Sequence, residues 1–372
     1  MNRCSIVTAN PSSKFEIEMN TRKITSSAPG KLILLGEYAV LEGAPAVVAA
    51  INRNANVHIS ANKKGKYSVE SPGLGISPQP FELLEGGKMT FPETDDATRR
   101  LLIFFSAAIE SALQESPIEL PPSSFLLETD QFYFENTGQK LGLGSSAALS
   151  IALLNGIFEF ARQPFKDKYR LFQQAVRAHY RAQGKMGSGV DIAASAIGGV
   201  LQYQITPGDP LNAMIEPLDL PENLFMLVVW SGNPASTREL VSRVNGFRQR
   251  DAAGFSNILT AMSDISFEGA HAIANAEIDK FLDCVDEYFQ RMTELGERSI
   301  APIVTAEHAA IREIAKTAGA VYKPSGAGGG DLGIAFATSP DIIEAAAEAL
   351  AKAGYSPIDA AIAHRGVHIS SD

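Results

Sequence analysis

Three glycine-rich stretches hold residues able to handle phosphate: Ala28-Pro-Gly-Lys-Leu-Ile-Leu-Leu-Gly36, Gly142-Leu-Gly-Ser-Ser-Ala147 and Ser325-Gly-Ala-Gly-Gly-Gly-Asp331. In the middle stretch Gly142 and Gly144 lack the Cβ atoms that would keep a bulky oxyanion off the backbone. Leu149, Ala152, Leu153, Gly156, Ile157 and Phe160 then recur at helical spacing. An amphipathic helix is therefore predicted to open near Ser145, with that serine as its N-cap. The first turn of such a helix presents unpaired N–H groups at the positive end of its dipole, which is a seat for phosphate. Ser145 and Ser146 add hydroxyls that reach a phosphate oxygen or a magnesium ion. Taken alone, Gly-x-Gly-Ser-Ser fits a plain helix cap equally well.

Two other phosphate motifs are excluded by context. Gly30-Lys31 has Thr25 where a P-loop needs glycine and Leu32 where it needs Ser or Thr. Gly328-x-Gly330-x-x-Gly333 matches the dinucleotide fingerprint but runs into Leu332-Gly-Ile-Ala-Phe336, which reads as a strand and not as the start of a helix.

In order and interval, the three stretches together resemble the GHMP kinase superfamily, whose members phosphorylate galactose, homoserine, mevalonate and phosphomevalonate. The resemblance runs from about Ser26 to Phe336. It implies ATP and Mg2+ as cofactors. It also implies an ATP-binding loop of Lys140, Gly142, Leu143, Gly144, Ser145, Ser146 and Ala147, with Ser146 as a metal ligand. The third stretch is implied to support the site from a second domain.

Details of wording resemble the branch that acts on phosphomevalonate. They are Tyr38 in Gly36-Glu-Tyr-Ala-Val-Leu41, Lys140 before the phosphate loop, the segment Trp230-Ser-Gly-Asn-Pro-Ala-Ser-Thr-Arg-Glu-Leu-Val241, and Asp331 closing the third stretch. Mevalonate kinases carry a magnesium-binding glutamate upstream of their catalytic aspartate, and Gln173 to Val190 contains no acidic residue. The runner-up is nonetheless mevalonate kinase. A diphosphomevalonate decarboxylase is disfavoured because Lys31 is present, and a non-catalytic ATP sensor because Lys31 and Asp191 occur together.

Phosphoryl transfer needs an aimed acceptor oxygen, and positive charge where the equatorial oxygens gather electrons. Asp191, in Gly187-Ser-Gly-Val-Asp191, is the candidate for orienting or deprotonating the acceptor. Lys31 is the candidate for keeping Asp191 ionised and stabilising the transferred group. Asp191 also fits the N-cap of a helix over Ile192 onward, and Lys31 a solvated turn lysine. Substrate contacts are expected from Glu37, Tyr38, Ser188, Gly189, Ser236, Thr237, Arg238, Gly326, Ala327, Gly328 and Asp331. For a phosphorylated acceptor, Lys140 and Arg238 are the first cations to consider, ahead of Arg181 and Lys185. His179 and His364 lack metal-ligand spacing and are expected to be inert.

These residues must be positioned by two layers of mixed structure. Ala55 to Ser60 alternates as a half-buried strand, Thr98 to Leu113 reads as one helix, and Leu224 to Trp230 as a strand. Helices are expected over Asn257 to Ala274, Ile278 to Leu295 and Pro340 to Ala353, with a last strand near Ala360 to Ile369. Interleaved strands and helices give an α+β class. The resemblance implies a ribosomal-protein-like βαβ domain and a ferredoxin-like domain with the site between them. Boundaries are expected at 1–22 for a polar leader, 23–205 and 222–372, with turn residues at Pro207–Pro210 and Pro217–Pro221.

The 372 residues suffice for two cores, and the net charge of −10 argues against nucleic acid as a partner. Two cysteines, Cys4 and Cys284, form no disulfide framework, and no apolar run is long enough to cross a membrane. A cytoplasmic enzyme with a small-molecule substrate is expected. The sequence does not decide between a monomer and a homodimer.

Overall fold

A computed structural model describes residues 21–134, 137–184 and 187–370. The expected leader lies almost wholly outside these residues, as do Cys4 and Lys185. The class is α+β, built on two antiparallel-dominated sheets.

The larger sheet grows from β1 (Lys23–Leu35) paired antiparallel with the long β2 (Ala46–Ala61). Ala55, Val57 and Ile59 of β2 point into the core, while Asn56, His58 and Ser60 alternate outward as the sequence predicts. Register slips between Pro29 and Gly30, and again between Ile33 and Leu35. Such bulges re-aim side chains, and Lys31 lies between these two. Beyond β2 come β3 (Tyr67–Ser71), β4 (Ile76–Leu84) and β5 (Lys88–Thr90), with β6 (Ser123–Glu128) between β2 and β3. The other half of β2 pairs with β7 (Val200–Thr206), which forms a hairpin with β8 (Asp209–Leu218) through the expected turn at Pro207.

The smaller sheet has the order β10-β11-β9-β12, from β9 (Phe225–Trp230), β10 (Val321–Pro324), β11 (Leu332–Ala337) and β12 (Ser356–Ile358). Strand β13 (His368–Ser370) returns to the larger sheet and pairs with β1. The large sheet thus runs past residue 205 to Leu218, and the chain's last strand belongs to it and not to the second half. Of the single strand expected near Ala360 to Ile369 only the end is strand, as β13, while β12 stops at Ile358 before it begins. Between them the backbone bonds irregularly to Asn52, Ala50 and Ser195, which prevents a continuous ladder.

Helices α1 (Asp96–Leu101) and α2 (Ile103–Glu115) replace the one helix expected from Thr98. The break is at Leu102, which leaves helical geometry and is buried. Helix α3 (Ser145–Phe160) is buried on nearly every side, so the expected amphipathic helix is a core helix held between sheet and helices. The first half is completed by α4 (Lys168–Gln183) and α5 (Val190–Ile197). The second half carries α6 (Thr237–Arg250), α7 (Ala252–Ala274), α8 (Ile278–Ser299), α9 (Ala306–Thr317) and α10 (Pro340–Lys352). Helix α8 is strongly amphipathic. It buries Ile278, Phe281, Val285, Tyr288, Met292 and Leu295 at spacings of three and four. Among the described residues no helix is long and apolar enough to cross a membrane.

Candidate active site

The first two glycine stretches meet through the backbone. The Lys31 N–H donates to the Leu143 carbonyl at 2.9 Å, which docks the β1 bulge against the loop before α3. Gly144, with φ of 78°, is the N-cap of α3, and Ser145 is the first helical residue. Ser145 is therefore not the cap, because the left-handed turn that redirects the chain into the helix needs glycine. Among the described residues, the N–H groups of residues 142 to 146 donate to no protein acceptor. They form a row of orphan donors at the positive end of a buried helix.

The reactive candidates gather around this row. A methyl group on Gly144 would lie 3.2 Å from Lys31 Cγ and 3.6 Å from Asp191 Cβ, so both side chains flank the loop. They form no ion pair within 4.0 Å of each other. Asp191 sits in the first turn of α5, with Gly189 and not Asp191 as its N-cap. Its carboxylate accepts from the Ile192 N–H at 3.1 Å. The preceding Ser188 carbonyl accepts a hydrogen bond from the buried Tyr203 hydroxyl on β7, which fixes the Ser188-Gly189 turn.

Lys140 stands exposed at the mouth, at the end of a hairpin whose Phe134 stacks on Trp230 with 4.5 Å between ring centres. The surrounding protein lowers its ammonium below the usual lysine value, and Asp331 and Asp191 partly offset this.

The third stretch joins β10 to β11 and is tied down at both ends. At its start the Ser325 hydroxyl donates to the Ile33 carbonyl at 3.0 Å and accepts from the Ile33 N–H at 3.1 Å. Lys323 is wholly buried and paired with Glu37, whose Oε1 also accepts from the Gly326 N–H at 3.2 Å. The Tyr38 hydroxyl donates to the Ala327 carbonyl at 2.6 Å. A methyl on Gly326 would lie 3.8 Å from Lys31 Nζ, so this clamp sets the loop beside the lysine.

At its far end Asp331 is left-handed, with φ of 53°. Its N–H donates to the Asn233 carbonyl at 2.7 Å, and its carbonyl accepts from the Ser231 N–H at 2.9 Å. Its Oδ1 accepts from the Ala235 N–H at 3.1 Å. Gly142 is close enough that a methyl there would stand 2.5 Å from Asp331 Oδ2.

A buried histidine supports that end. His308 Nε2 lies 2.9 Å from the Gly330 carbonyl and Nδ1 2.8 Å from the Tyr322 hydroxyl, so a neutral ring donates to the first and accepts from the second. Burial lowers its pKa to about 4. The folded value is below the unfolded one, so the native state resists the proton. This contribution is intact above about 6.5 and is lost as pH falls toward about 4, roughly 3 kcal/mol in all. Wild type should lose more stability than His308→Gln when urea midpoints at about pH 7 and about pH 5 are compared. Equal losses would remove His308 as the cause.

Several expected contacts are redirected. Glu37 and Tyr38 are buried and bond to the third loop as its clamp. Arg181 is committed to Glu115 at 3.0 Å and Gln114 at 2.9 Å. Ser236 caps α6 by accepting from the Glu239 N–H at 3.4 Å, with Thr237 exposed beside it. Leu240 of α6 packs on Gly329, and Arg238, two residues earlier, points to the opposite, exposed face. Gly328 packs against the Ile303 carbonyl. Sequence reading missed Lys323, Tyr203 and His308, which carry no motif. It set aside His179, whose Nε2 lies 3.3 Å from the Ser146 hydroxyl. A lysine inside an apolar strand, as Lys323 is, was the one available signal.

Comparison with known proteins follows the same lines. Residues 128–199 match the profile for the GHMP kinases N terminal domain. A phosphomevalonate kinase from a Streptomyces species is 29% identical over 342 residues, covering 85% of this chain and 90% of that protein. A mevalonate kinase from Thermococcus gammatolerans is 28% identical over 358 residues, covering 93% and 98%. The structure of Streptococcus pneumoniae phosphomevalonate kinase in complex with phosphomevalonate and AMPPNP superposes with a TM-score of 0.74 at 20% identity, over 91% of this chain and 99% of that one.

Proposed function

We propose that this chain, a member of the GHMP kinase superfamily, transfers the γ-phosphoryl group of ATP to phosphomevalonate, giving diphosphomevalonate and ADP. The observation that carries the reading is the row of unpaired N–H groups at residues 142 to 146, flanked by Lys31 and Asp191 from two other elements. Orphan donors at a helix start receive the phosphate chain. Lys31, aimed by the β1 bulge, places a cation where charge gathers on the transferred group. Asp191 aims the acceptor oxygen at phosphorus. An acceptor phosphate is already anionic near neutral pH, so Asp191 then works mainly by positioning.

A magnesium ion would supply positive charge to the phosphates, and Asp331, Asp191 and Ser146 are the residues that would hold it. The residues fit an ion carried in by nucleotide. Asp331 and Asp191 border the phosphate loop, and the Ser146 hydroxyl in the first turn of α3 lies 3.3 Å from His179 Nε2. Among the described residues no group of three or more His, Cys, Asp or Glu side chains forms a cage.

Mevalonate is the second acceptor to test, because relatives of that name align over more of this chain than the phosphomevalonate kinase does. The deciding experiment is ADP release with magnesium and ATP, run in parallel with phosphomevalonate and mevalonate, with product masses. Diphosphate product from phosphomevalonate supports the proposal, and turnover with mevalonate alone overturns its substrate.

Lys140, charge-coupled to Asp331 and Asp191, is the cation we propose for an acceptor phosphate. Lys140→Ala should raise the KM for phosphomevalonate about tenfold or more, while Arg238→Ala leaves it within about twofold. The reverse ranking would show that the exposed face of α6 closes over the substrate.

A further inference from the structure

We infer that Asp331 makes nucleotide binding depend on the divalent cation: it repels bare ATP from the phosphate loop and faces the metal when the metal enters with ATP. The inference rests on the kinase reading above, and it gives Asp331 a place on the nucleotide side and not in the acceptor pocket.

Four observations carry it. Asp331 Oδ2 is the side-chain atom nearest the position a methyl on Gly142 would take, so the carboxylate lies over the loop whose N–H groups have no protein acceptor. Its backbone is held on both sides, by Asn233 and Ser231, in a left-handed conformation that costs a residue with a Cβ. Oδ1 is fixed by the Ala235 N–H, which leaves Oδ2 for the loop. Finally, burial raises the Asp331 carboxyl above its usual value, the Ala235 N–H, Lys31 and Lys140 oppose that rise, and Lys140 also feels Asp191.

Two carboxylates against two ammonium groups leave the site with no net charge of its own. Bare ATP brings four negative charges against a fixed carboxylate, whereas the magnesium complex brings two and offers the carboxylate a cation. A serine or glycine here would accept both forms more evenly.

The test is calorimetric titration of ATP into wild type and Asp331→Asn, once with EDTA and once with excess magnesium. Asparagine keeps an acceptor for the Ala235 N–H and tolerates the left-handed conformation, so the fold should survive. Asp331→Gly is the second variant should asparagine fail to fold. The expected result is about tenfold or more tighter binding of metal-free ATP by the variant, and a much smaller gain in affinity on adding magnesium than in wild type. Manganese bound in the ternary complex, read by electron paramagnetic resonance, should have altered spectral parameters in the variant. Equal metal-free affinities in wild type and variant would overturn the inference while leaving the kinase reading intact. Failure of wild type to bind ATP with magnesium would overturn both.

Discussion

Replacing Asp191 by asparagine should lower turnover about a hundredfold to ten-thousandfold while ATP affinity changes little. The side chain flanks Gly144 and, among the described residues, has no ion pair within 4.0 Å, so its replacement should leave the fold in place. Asparagine preserves the shape and the contact with the Ile192 N–H and deletes only the charge. The size of the effect discriminates between roles. A loss near the lower limit, with no new pH dependence, fits an acceptor that is already anionic and needs only aiming. A loss near the upper limit fits a hydroxyl acceptor that must give up a proton. Single-turnover kinetics with measured ATP binding would check it, and turnover within about threefold of wild type would remove Asp191 from the chemistry. Lys31→Met should fall in the same range, because its ammonium stands where transferred charge accumulates.

Replacing Lys323 by methionine should destabilise the protein by about 3–5 kcal/mol, among the largest effects available to one substitution. Lys323 is wholly buried, Glu37 is 2% exposed, and Glu37 Oε2 already lacks a hydrogen-bond partner. Burial lowers the Lys323 ammonium below its usual value, with Lys31 adding to the shift and Glu37 opposing it. Removing the cation leaves a buried carboxylate whose remaining donor, among the described residues, is the Gly326 N–H. The double variant Glu37→Gln with Lys323→Met should regain most of the loss, because no uncompensated charge remains. Chemical denaturation of the wild type, both single variants and the double variant would measure the coupling. Equal midpoints for wild type and Lys323→Met would show that the pair is hydrated in solution. The third glycine loop hangs from this pair, so the surviving folded fraction of Lys323→Met should also bind substrates more weakly.

Much of the architecture was legible because local chemistry and tertiary structure agree. Gly142-Leu-Gly-Ser-Ser announces a loop and a helix start, Leu224 to Trp230 reads as a strand, and α8 has a pattern that only one buried face satisfies. The errors came where partners distant in sequence decide. Thr98 to Leu113 has helical composition throughout, and its break at Leu102 comes from burying that side chain beside exposed Leu101 and Ile103. Helix α3 has a clear apolar stripe, yet it is enclosed on its other faces too, which no periodicity reveals. Ala360 to Ile369 reads as one strand, yet only its end pairs with β1, because the residues before it bond singly to Asn52, Ala50 and Ser195.

The same division holds at the site. By itself the sequence determined which residue types were present: three glycine stretches able to admit phosphate, a lysine and an aspartate fit for phosphoryl transfer, and a composition able to fold around them. Only the tertiary structure decided what each faces. Glu37 and Tyr38 turn inward to clamp a loop, Ser145 yields the cap to Gly144, Arg238 points outward, and Asp331 reaches the phosphate loop. The physical reason is range. Turn and helix preferences act over a few residues. The aim of Lys31 instead depends on a bulge against β2 and a bond to Leu143, and that of Asp331 on Asn233, Ser231, Ala235 and the His308 bond to Gly330.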